Sequence, residues 1–171
     1  EERYLAQCLS SVKDVIDEII IVDTGSTDKT LEIAKSFNAK IFNFDWINDF
    51  SAARNFALNK CSGDWILYLD ADEELNHDSI EEVKKYKSHT PAGVYCTVKS
   101  LGSSTANGSV MRYPRLFANV PGLEFVGKVH EQISDSLKKN KVPLVESEID
   151  IIHYGYAMDE NGLKKKKERN I

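Results

Sequence analysis

The chain has 171 residues, of which 42% are hydrophobic and 29% are charged, and its formal net charge is −5. This length fits one well-buried domain and is short for two. The acidic balance argues against a nucleic-acid partner, and no apolar run approaches the roughly 18 residues that a membrane-spanning helix requires. Three cysteines without a metal-site spacing predict free thiols in a reducing compartment: Cys8, Cys61 and Cys96.

The first 91 residues alternate between predicted helices and strands. A helix with apolar residues at 5, 8, 9 and 12 comes first, and it is followed by a strand at 18–22, a helix at 28–37, a strand at 40–44, a helix at 50–60, a strand at 65–69 and a helix at 79–86. Residues 26–28 offer capping side chains for the second helix, and Asp78 with Glu81 resembles a capping box before the last one. This alternation is typical of a parallel sheet covered by helices.

From residue 92 onward the pattern changes. Strands are predicted at 94–99, 110–117 and 149–152, with polar loops between them, and helical periodicity returns only near the lysine run at 164–167. Neither end of the chain carries a helix cap, so we expect the domain to continue beyond both ends. The sequence predicts one α/β domain over residues 1–171.

Acidic residues directly follow two of the predicted strands. The strand at 18–22 runs into Asp23, and the strand at 65–69 runs into Asp70-Ala71-Asp72. Ligands of open α/β sheets bind beyond the carboxyl ends of the strands, and hard divalent cations prefer oxygen ligands. The sequence therefore predicts a metal-bound nucleotide at one rim of the sheet, with the Asp23 carboxylate accepting hydrogen bonds from the nucleoside. The alternatives are a solvated turn for Asp70-Ala71-Asp72 and a turn or cap role for Asp23, which is assigned instead to residues 26–28.

Three motifs in this order resemble the family-two glycosyltransferases, which have the GT-A fold: Ile-Val-Asp-Thr-Gly-Ser-Thr-Asp at 21–28, Asp-Phe-Ser-Ala-Ala-Arg-Asn at 49–55 and Leu-Asp-Ala-Asp-Glu at 69–73. Arg-Leu-Phe at 115–117, Gly-Lys-Val-His-Glu at 127–131 and His-Tyr-Gly-Tyr at 153–156 resemble a bacterial subgroup that often carries helical repeats after the catalytic domain. The resemblance implies a Rossmann-like, mostly parallel sheet with helices on both faces. It also implies a nucleotide-binding half at 1–91, an acceptor-side half at 92–157 and the start of a C-terminal helix at 158–171.

The resemblance further implies an enzyme that moves a sugar, with inversion, from a nucleotide sugar to an acceptor hydroxyl. The expected donor is a UDP-sugar, the cofactor is Mg²⁺ or Mn²⁺, and the acceptor is an unknown glycan, lipid or protein met in the cytoplasm or at the inner membrane face. The implied site residues are Glu131 and His130 for catalysis, with Glu131 as the general base; Asp23, Arg54, Asn55, Asp70 and Ala71 for the nucleotide sugar; and Asp72, Asp70 and His153 for the metal.

Several structural alternatives stay open for these residues. Arg54 and Asn55 could support Asp23 instead of binding the nucleotide, the His130–Glu131 pair could lie at a strand edge on the surface, and His153 could be a core histidine bonded to the backbone. Other function classes also remain: a non-catalytic nucleotide-sugar binding module, a phosphatase of the Asp-x-Asp kind, or a sugar-nucleotide nucleotidyltransferase. The last would be expected to show a Gly-rich phosphate loop, which is not visible.

The chain departs from the resembling family at its start. Members normally have a strand before a stretch such as Glu1-Glu2-Arg3, and in that fold the strand lies between the strands predicted at 18–22 and 65–69. We therefore expect a gap between these two strands of about two strand spacings, roughly 9–10 Å. Unpaired strand edges favour aggregation, so the fragment alone is expected to be poorly soluble and inactive, and an upstream strand is expected to restore both properties.

Overall fold

The computed structural model describes residues 1–101 and 108–155. Helices and strands alternate as far as the third strand, a fourth strand follows it directly before the fourth helix, and strands dominate after residue 86. The helices are α1 Leu5–Val12, α2 Thr30–Ser36, α3 Phe50–Leu58, α4 Ile80–Tyr86 and α5 Ser134–Lys139, and a 3₁₀ turn at His77–Ser79 leads into α4. The strands are β1 Ile20–Asp23, β2 Lys40–Asn43, β3 Trp65–Leu67, β4 Glu73–Leu75, β5 Gly93–Ser100, β6 Ser109–Ala118 and β7 Leu144–His153.

The described strands form two sheets. β1 and β2 pair in parallel, from Ile20 opposite Lys40 to Asp23 opposite Asn43. The other sheet has the order β3-β6-β5-β7-β4, and of its four pairings β5–β7 alone is parallel. The predicted α/β class is confirmed, but the expectation of a mostly parallel sheet is wrong for these five strands. The connection between β5 and β6 is too short for a crossover, so the two strands pair as an antiparallel hairpin.

A slot separates β1 from β3. Within the described residues no ladder joins these strands, which belong to different sheets. The space between them is a cavity of about 640 Å³, lined by residues 19–22 and 64–71 and by the α1 side chains of Cys8, Leu9 and Val12. As predicted, the two strands are not paired with each other; their expected separation of roughly 9–10 Å stays a prediction.

Three apolar clusters hold the layers together. The largest packs the end of α1 and helix α4 against the five-stranded sheet, with Val12, Val83 and Val94 among its buried members. A second cluster joins α5 to β6 and the loop before α5, and a third places α1 and α2 against β1 and β2. The helical spacing predicted for α1 is confirmed, because all four of its apolar positions are buried.

Several local predictions need correction or fall outside the described residues. The capping box of Asp78 and Glu81 does not form, since the Asn76 side chain accepts from the Asp78 N–H at 3.1 Å and Ser79 caps α4 without a side-chain bond. Helix α5 and strand β4 were not predicted, and the helix at 158–171 lies outside the described residues. Across those residues the three cysteines are free thiols, and no helix has both the length and the apolar character needed to cross a membrane.

Candidate functional site

The Asp70-Ala71-Asp72 segment forms a turn between β3 and β4. The Asp70 carbonyl accepts from the Glu73 N–H at 2.9 Å, which closes the turn, and the Asp72 carbonyl accepts from the Tyr154 N–H at 2.9 Å. Ala71 packs against the cluster formed by α1 and α2. The turn is therefore tied to the segment after β7, and both predicted carboxylates stand at the end of a strand.

Asp72 and His153 meet at this turn. The Asp72 Oδ2 atom lies 3.3 Å from His153 Nε2, and the two side chains are 12% and 14% exposed. His153 Nδ1 lies 3.1 Å from the Ser100 hydroxyl, so its partners include two side chains from other elements. The expectation that Asp72 and His153 bind the same metal ion is consistent with this geometry.

Asp70 is held between two arginines. Arg54 Nη2 donates to Asp70 Oδ1 at 2.6 Å, and Arg115 Nη2 lies 3.9 Å from Asp70 Oδ2. Burial raises the pKa of Asp70, but the charges of Arg54 and Arg115 outweigh it and hold this pKa well below its usual range. Asp70 is thus ionised, and any metal would compete with Arg54 for its carboxylate.

A buried ion pair lies beneath Asp70. Glu73 Oε1 accepts from Arg115 Nη2 at 2.8 Å, and Glu73 Oε2 accepts from the Asp70 N–H at 2.8 Å. The side chains of Glu73 and Arg115 are 2% and 8% exposed. Burial and the neighbouring Asp70 raise the pKa of Glu73 to about 7, although Arg115 opposes the shift. The sequence contains both residues in the motifs quoted above, but no pattern assigned them to each other.

Glu131 points inward while His130 stays outside. The Glu131 carboxylate accepts from Arg54 Nε, and its side chain is 10% exposed. His130 is exposed and has a φ of 58°, in a loop closed by the bridge between Val126 and Gln132. A positive φ of this kind is uncommon for a residue other than glycine. The alternative of a surface position therefore applies to His130, and Glu131 joins the site.

Asp23 and Asn55 each hold a loop. The Asp23 carboxylate accepts from the Gly25 and Ser26 N–H groups, both at 3.1 Å, and Gly25 has a φ of 109°. This is the turn role that had been assigned to residues 26–28; of these, Asp28 does accept from the Thr30 N–H at 3.0 Å. Asn55 bonds the backbone N–H and carbonyl of Phe125 at 2.7 and 2.9 Å.

Most of the site residues implied by the sequence lie together at the acidic turn. Asp70, Arg54 and Glu131 form one continuous chain of ion pairs, and Asp72 with His153 lies at the same turn. Arg54 and Asn55 hydrogen-bond to partners other than Asp23. The structure therefore does not favour the alternative that they hold Asp23 in place.

A divalent cation fits the Asp72–His153 pair as part of its ligand set. Within residues 1–101 and 108–155, no three His, Cys, Asp or Glu side chains are arranged to hold a metal ion by themselves. Mg²⁺, however, is usually bound by one or two carboxylates together with substrate phosphates and water. The Ser100 contact also orients the imidazole, as hydrogen bonds to metal-binding histidines do. The donor set is therefore compatible with a cation that a diphosphate helps to hold.

Comparison with known proteins gives consistent relatives. The chain matches the family described as Glycosyl transferase family 2 over residues 1–138. It is 40% identical over 171 residues to a TPR repeat-containing protein of Synechococcus elongatus and 31% identical over 177 residues to the SPbeta prophage-derived glycosyltransferase SunS of Bacillus subtilis. These alignments cover 93% and 100% of this chain but 41% of each relative, so the chain spans less than half of their length.

Solved structures show the same fold. TarS of Staphylococcus aureus in complex with UDP has a TM-score of 0.64 at 15% identity, over 99% of this chain and 61% of that one. Glucosyl-3-phosphoglycerate synthase of Mycobacterium tuberculosis, in complex with Mn²⁺ and UDP-glucose, has a TM-score of 0.61 at 16% identity, over 96% and 70%. The GT-A fold predicted from the sequence is confirmed by these matches.

Proposed function

The chain belongs to glycosyl transferase family 2, and from this membership we propose that it transfers a sugar from a UDP-sugar to an acceptor hydroxyl with inversion, in a reaction that requires Mg²⁺ or Mn²⁺. One observation carries the proposal: Asp70, Arg54 and Glu131 form a continuous ion-paired chain beside the Asp72–His153 pair. The Asp70 carboxylate, on the nucleotide side, and the carboxylate of the candidate base Glu131 therefore bond to the same guanidinium.

The acidic turn and β7 form the donor side of this proposal. Asp72 and His153, with Asp70 nearby, would hold the cation, which offsets the charge that develops on the departing diphosphate. Asp23, Asp70 and Ala71 would contact the nucleotide sugar, together with Asn55 from α3. The mycobacterial synthase, which has the same fold, is bound to UDP-glucose and Mn²⁺, and this supports a nucleotide-sugar donor and a divalent cation as the classes of ligand.

The loop that contains Glu131 forms the acceptor side. An acceptor hydroxyl has a pKa far above 7, so its attack is helped by a base that removes the proton. Glu131 is the candidate because its carboxylate bonds to Arg54, which also bonds to Asp70 in the acidic turn. His130, exposed at the mouth of the same loop, would contact the acceptor or a phosphate. The acceptor class and a location in the cytoplasm or at the inner membrane face stay predictions.

The test is Glu131→Gln in the full-length protein. Glutamine keeps the size of the side chain but cannot take a proton, so sugar transfer should fall by about 10²–10⁴-fold, the usual contribution of a general base. UDP affinity, measured by calorimetry, should remain within a factor of about three because the donor side is unchanged. Glu124→Gln is the matched control, since Glu124 lies on the same segment between β6 and α5, just before the Val126–Gln132 bridge, with its side chain 56% exposed.

Each result of this test has a distinct meaning. Transfer at the wild-type rate by Glu131→Gln would show that the base lies elsewhere. UDP binding without transfer by the wild-type protein, with all candidate donors and acceptors tried, would instead favour a non-catalytic binding module.

A further inference from the structure

We propose that Arg54 is a positioning residue that fixes the Glu131 carboxylate relative to the acidic turn, so that the acceptor side and the donor side are aligned by one guanidinium. This inference rests on the proposed function, because it takes Glu131 as the base. It assigns Arg54 a task different from binding the nucleotide.

The guanidinium uses different nitrogens for its two partners. Arg54 Nε donates to Glu131 Oε1, and Arg54 Nη2 donates to Asp70 Oδ1 at 2.6 Å. A guanidinium is planar and presents its N–H donors in a fixed fork, so two carboxylates bonded to it are held at a set distance and angle. An ammonium group is a point charge on a flexible stem and imposes no such angle.

The guanidinium is itself held in place by aromatic rings. Its central carbon lies 5.0 Å from the ring centre of Tyr68 and 5.8 Å from that of Phe125. The Arg54 side chain is 21% exposed, so part of its surface is removed from water. Cation–π contacts of this kind contribute most where water is excluded. Arg54 is therefore a rigid connection between two carboxylates.

The helix that carries Arg54 is joined to the Glu131 loop at further points. The Phe50 N–H donates to the Lys128 carbonyl at 3.0 Å. Asn55 bonds both backbone polar groups of Phe125. Asp49 caps the helix by accepting from the Ala52 N–H at 3.0 Å. With its start and its middle both bonded to the loop, α3 sets the position from which Arg54 reaches Glu131.

This arrangement leaves one Glu131 oxygen available for chemistry. Oε1 is bonded to Arg54, and within the described residues Oε2 makes no hydrogen bond. A carboxylate has two acceptor oxygens, so it can be anchored through one and take a proton on the other. The role of Arg54 is to determine where Oε2 points relative to the donor site, and small errors in such placement are costly in rate.

The experiment is a double-mutant cycle in the full-length protein with Arg54→Met, Glu131→Gln and the double variant. If Arg54 acts through Glu131, Arg54→Met should lower kcat by about 10²-fold or more, and the double variant should be no slower than Glu131→Gln alone, because coupled residues are not additive. The KM for the donor and the Kd for UDP should change by less than about threefold. Guanidinium ion added to Arg54→Met should restore part of kcat, and it should restore none in the double variant.

Two further variants separate positioning from folding. Arg54→Lys keeps the positive charge and most of the stem, so it should unfold near the wild-type temperature yet lose at least about tenfold in kcat, since one ammonium cannot set the angle between two carboxylates. Arg112→Met is the matched control: Arg112 pairs with Glu146 at 2.7 Å outside the site, and its loss should leave kcat unchanged.

Three results would overturn the proposal. A tenfold weaker UDP affinity with kcat retained would make Arg54 a nucleotide ligand, and losses that multiply in the double variant would show that Arg54 acts independently of Glu131. Full activity of Glu131→Gln would remove the base on which this inference depends and would show that the base of the transfer reaction lies elsewhere. All three results leave sugar transfer itself intact, whereas wild-type protein that binds UDP without transfer would contradict the proposed function.

Discussion

Replacing Arg115 by methionine tests the buried ion pair beneath the acidic turn. The change removes the cation that neutralises Glu73, whose side chain is 2% exposed and lies next to the ionised Asp70. Breaking a buried pair by removing one partner costs about 3–5 kcal/mol because it leaves an uncompensated buried charge. For a domain of this size that corresponds to a fall in Tm on the order of 10 °C.

The loss of stability caused by Arg115→Met should depend on pH, and the direction of this dependence follows from the pKa of Glu73. Burial and Asp70 already raise the pKa of Glu73 from 4.5 to about 7, and loss of Arg115 raises it further. A carboxyl whose pKa is higher in the folded state contributes stability that is fully present below its unfolded pKa and is lost as the pH rises through its folded pKa. Arg115→Met should therefore be mildly destabilised at pH 5.5, where Glu73 can take a proton, and strongly destabilised at pH 8.

The assay is thermal unfolding at pH 5.5 and pH 8 in EDTA, so that no bound cation contributes. The double variant Arg115→Met with Glu73→Gln should recover most of the loss at pH 8, because the stranded charge is gone. Arg112→Met removes an exposed ion pair with Glu146 and a hydrogen bond to the Ser147 carbonyl, and it should cost about 1 kcal/mol at either pH. A double variant as unstable as Arg115→Met, or a loss equal at both pH values, would refute the assignment of the cost to the charge on Glu73.

Two further predictions concern the metal and the slot. Asp72→Asn should abolish transfer and the metal dependence of UDP affinity while leaving Tm near the wild-type value, because asparagine keeps the size of this buried side chain. UDP titrations with and without EDTA measure the metal dependence. Wild-type affinity for UDP that is equal in excess chelator would contradict the prediction. A longer chain that supplies an upstream strand of about 5–6 residues should give more soluble and more active protein than residues 1–171, as measured by soluble yield and sugar transfer; equal values for the two chains would contradict it.

The positions of the acidic residues could be predicted because they depend on local pattern. Asp70 and Asp72 follow an apolar strand, and such a strand delivers its next residues to the rim of its sheet whatever the rest of the fold does. The alternation of elements up to α4 is likewise visible in hydrophobic periodicity. These features needed no knowledge of distant contacts.

Other features depend on contacts that sequence spacing does not reveal. Glu73 and Arg115 are 42 residues apart, and Arg54 and Glu131 are 77 apart. Nothing in the local pattern of either pair indicates its partner. Strand β4 has three residues and forms only because β7 lies beside it, and the six-residue helix α5 is stabilised by burial of Leu137. Short elements of this kind depend on tertiary packing more than on propensity.

The slot between β1 and β3 explains why the site residues are positioned in two blocks. Asp23 closes a turn at the end of β1, whereas Asp70 follows β3, and within the described residues no backbone ladder connects the two strands. The ion-paired chain from Asp70 through Arg54 to Glu131 is held together by side chains: Asp70 follows β3, and Arg54 comes from α3, which packs against β1. A strand paired with both edges would fix the distance between Asp23 and Asp70, since neighbouring strands lie about 4.7–4.9 Å apart. The proposed nucleoside contact of Asp23 therefore depends on that strand more than the Arg54–Glu131 pairing does.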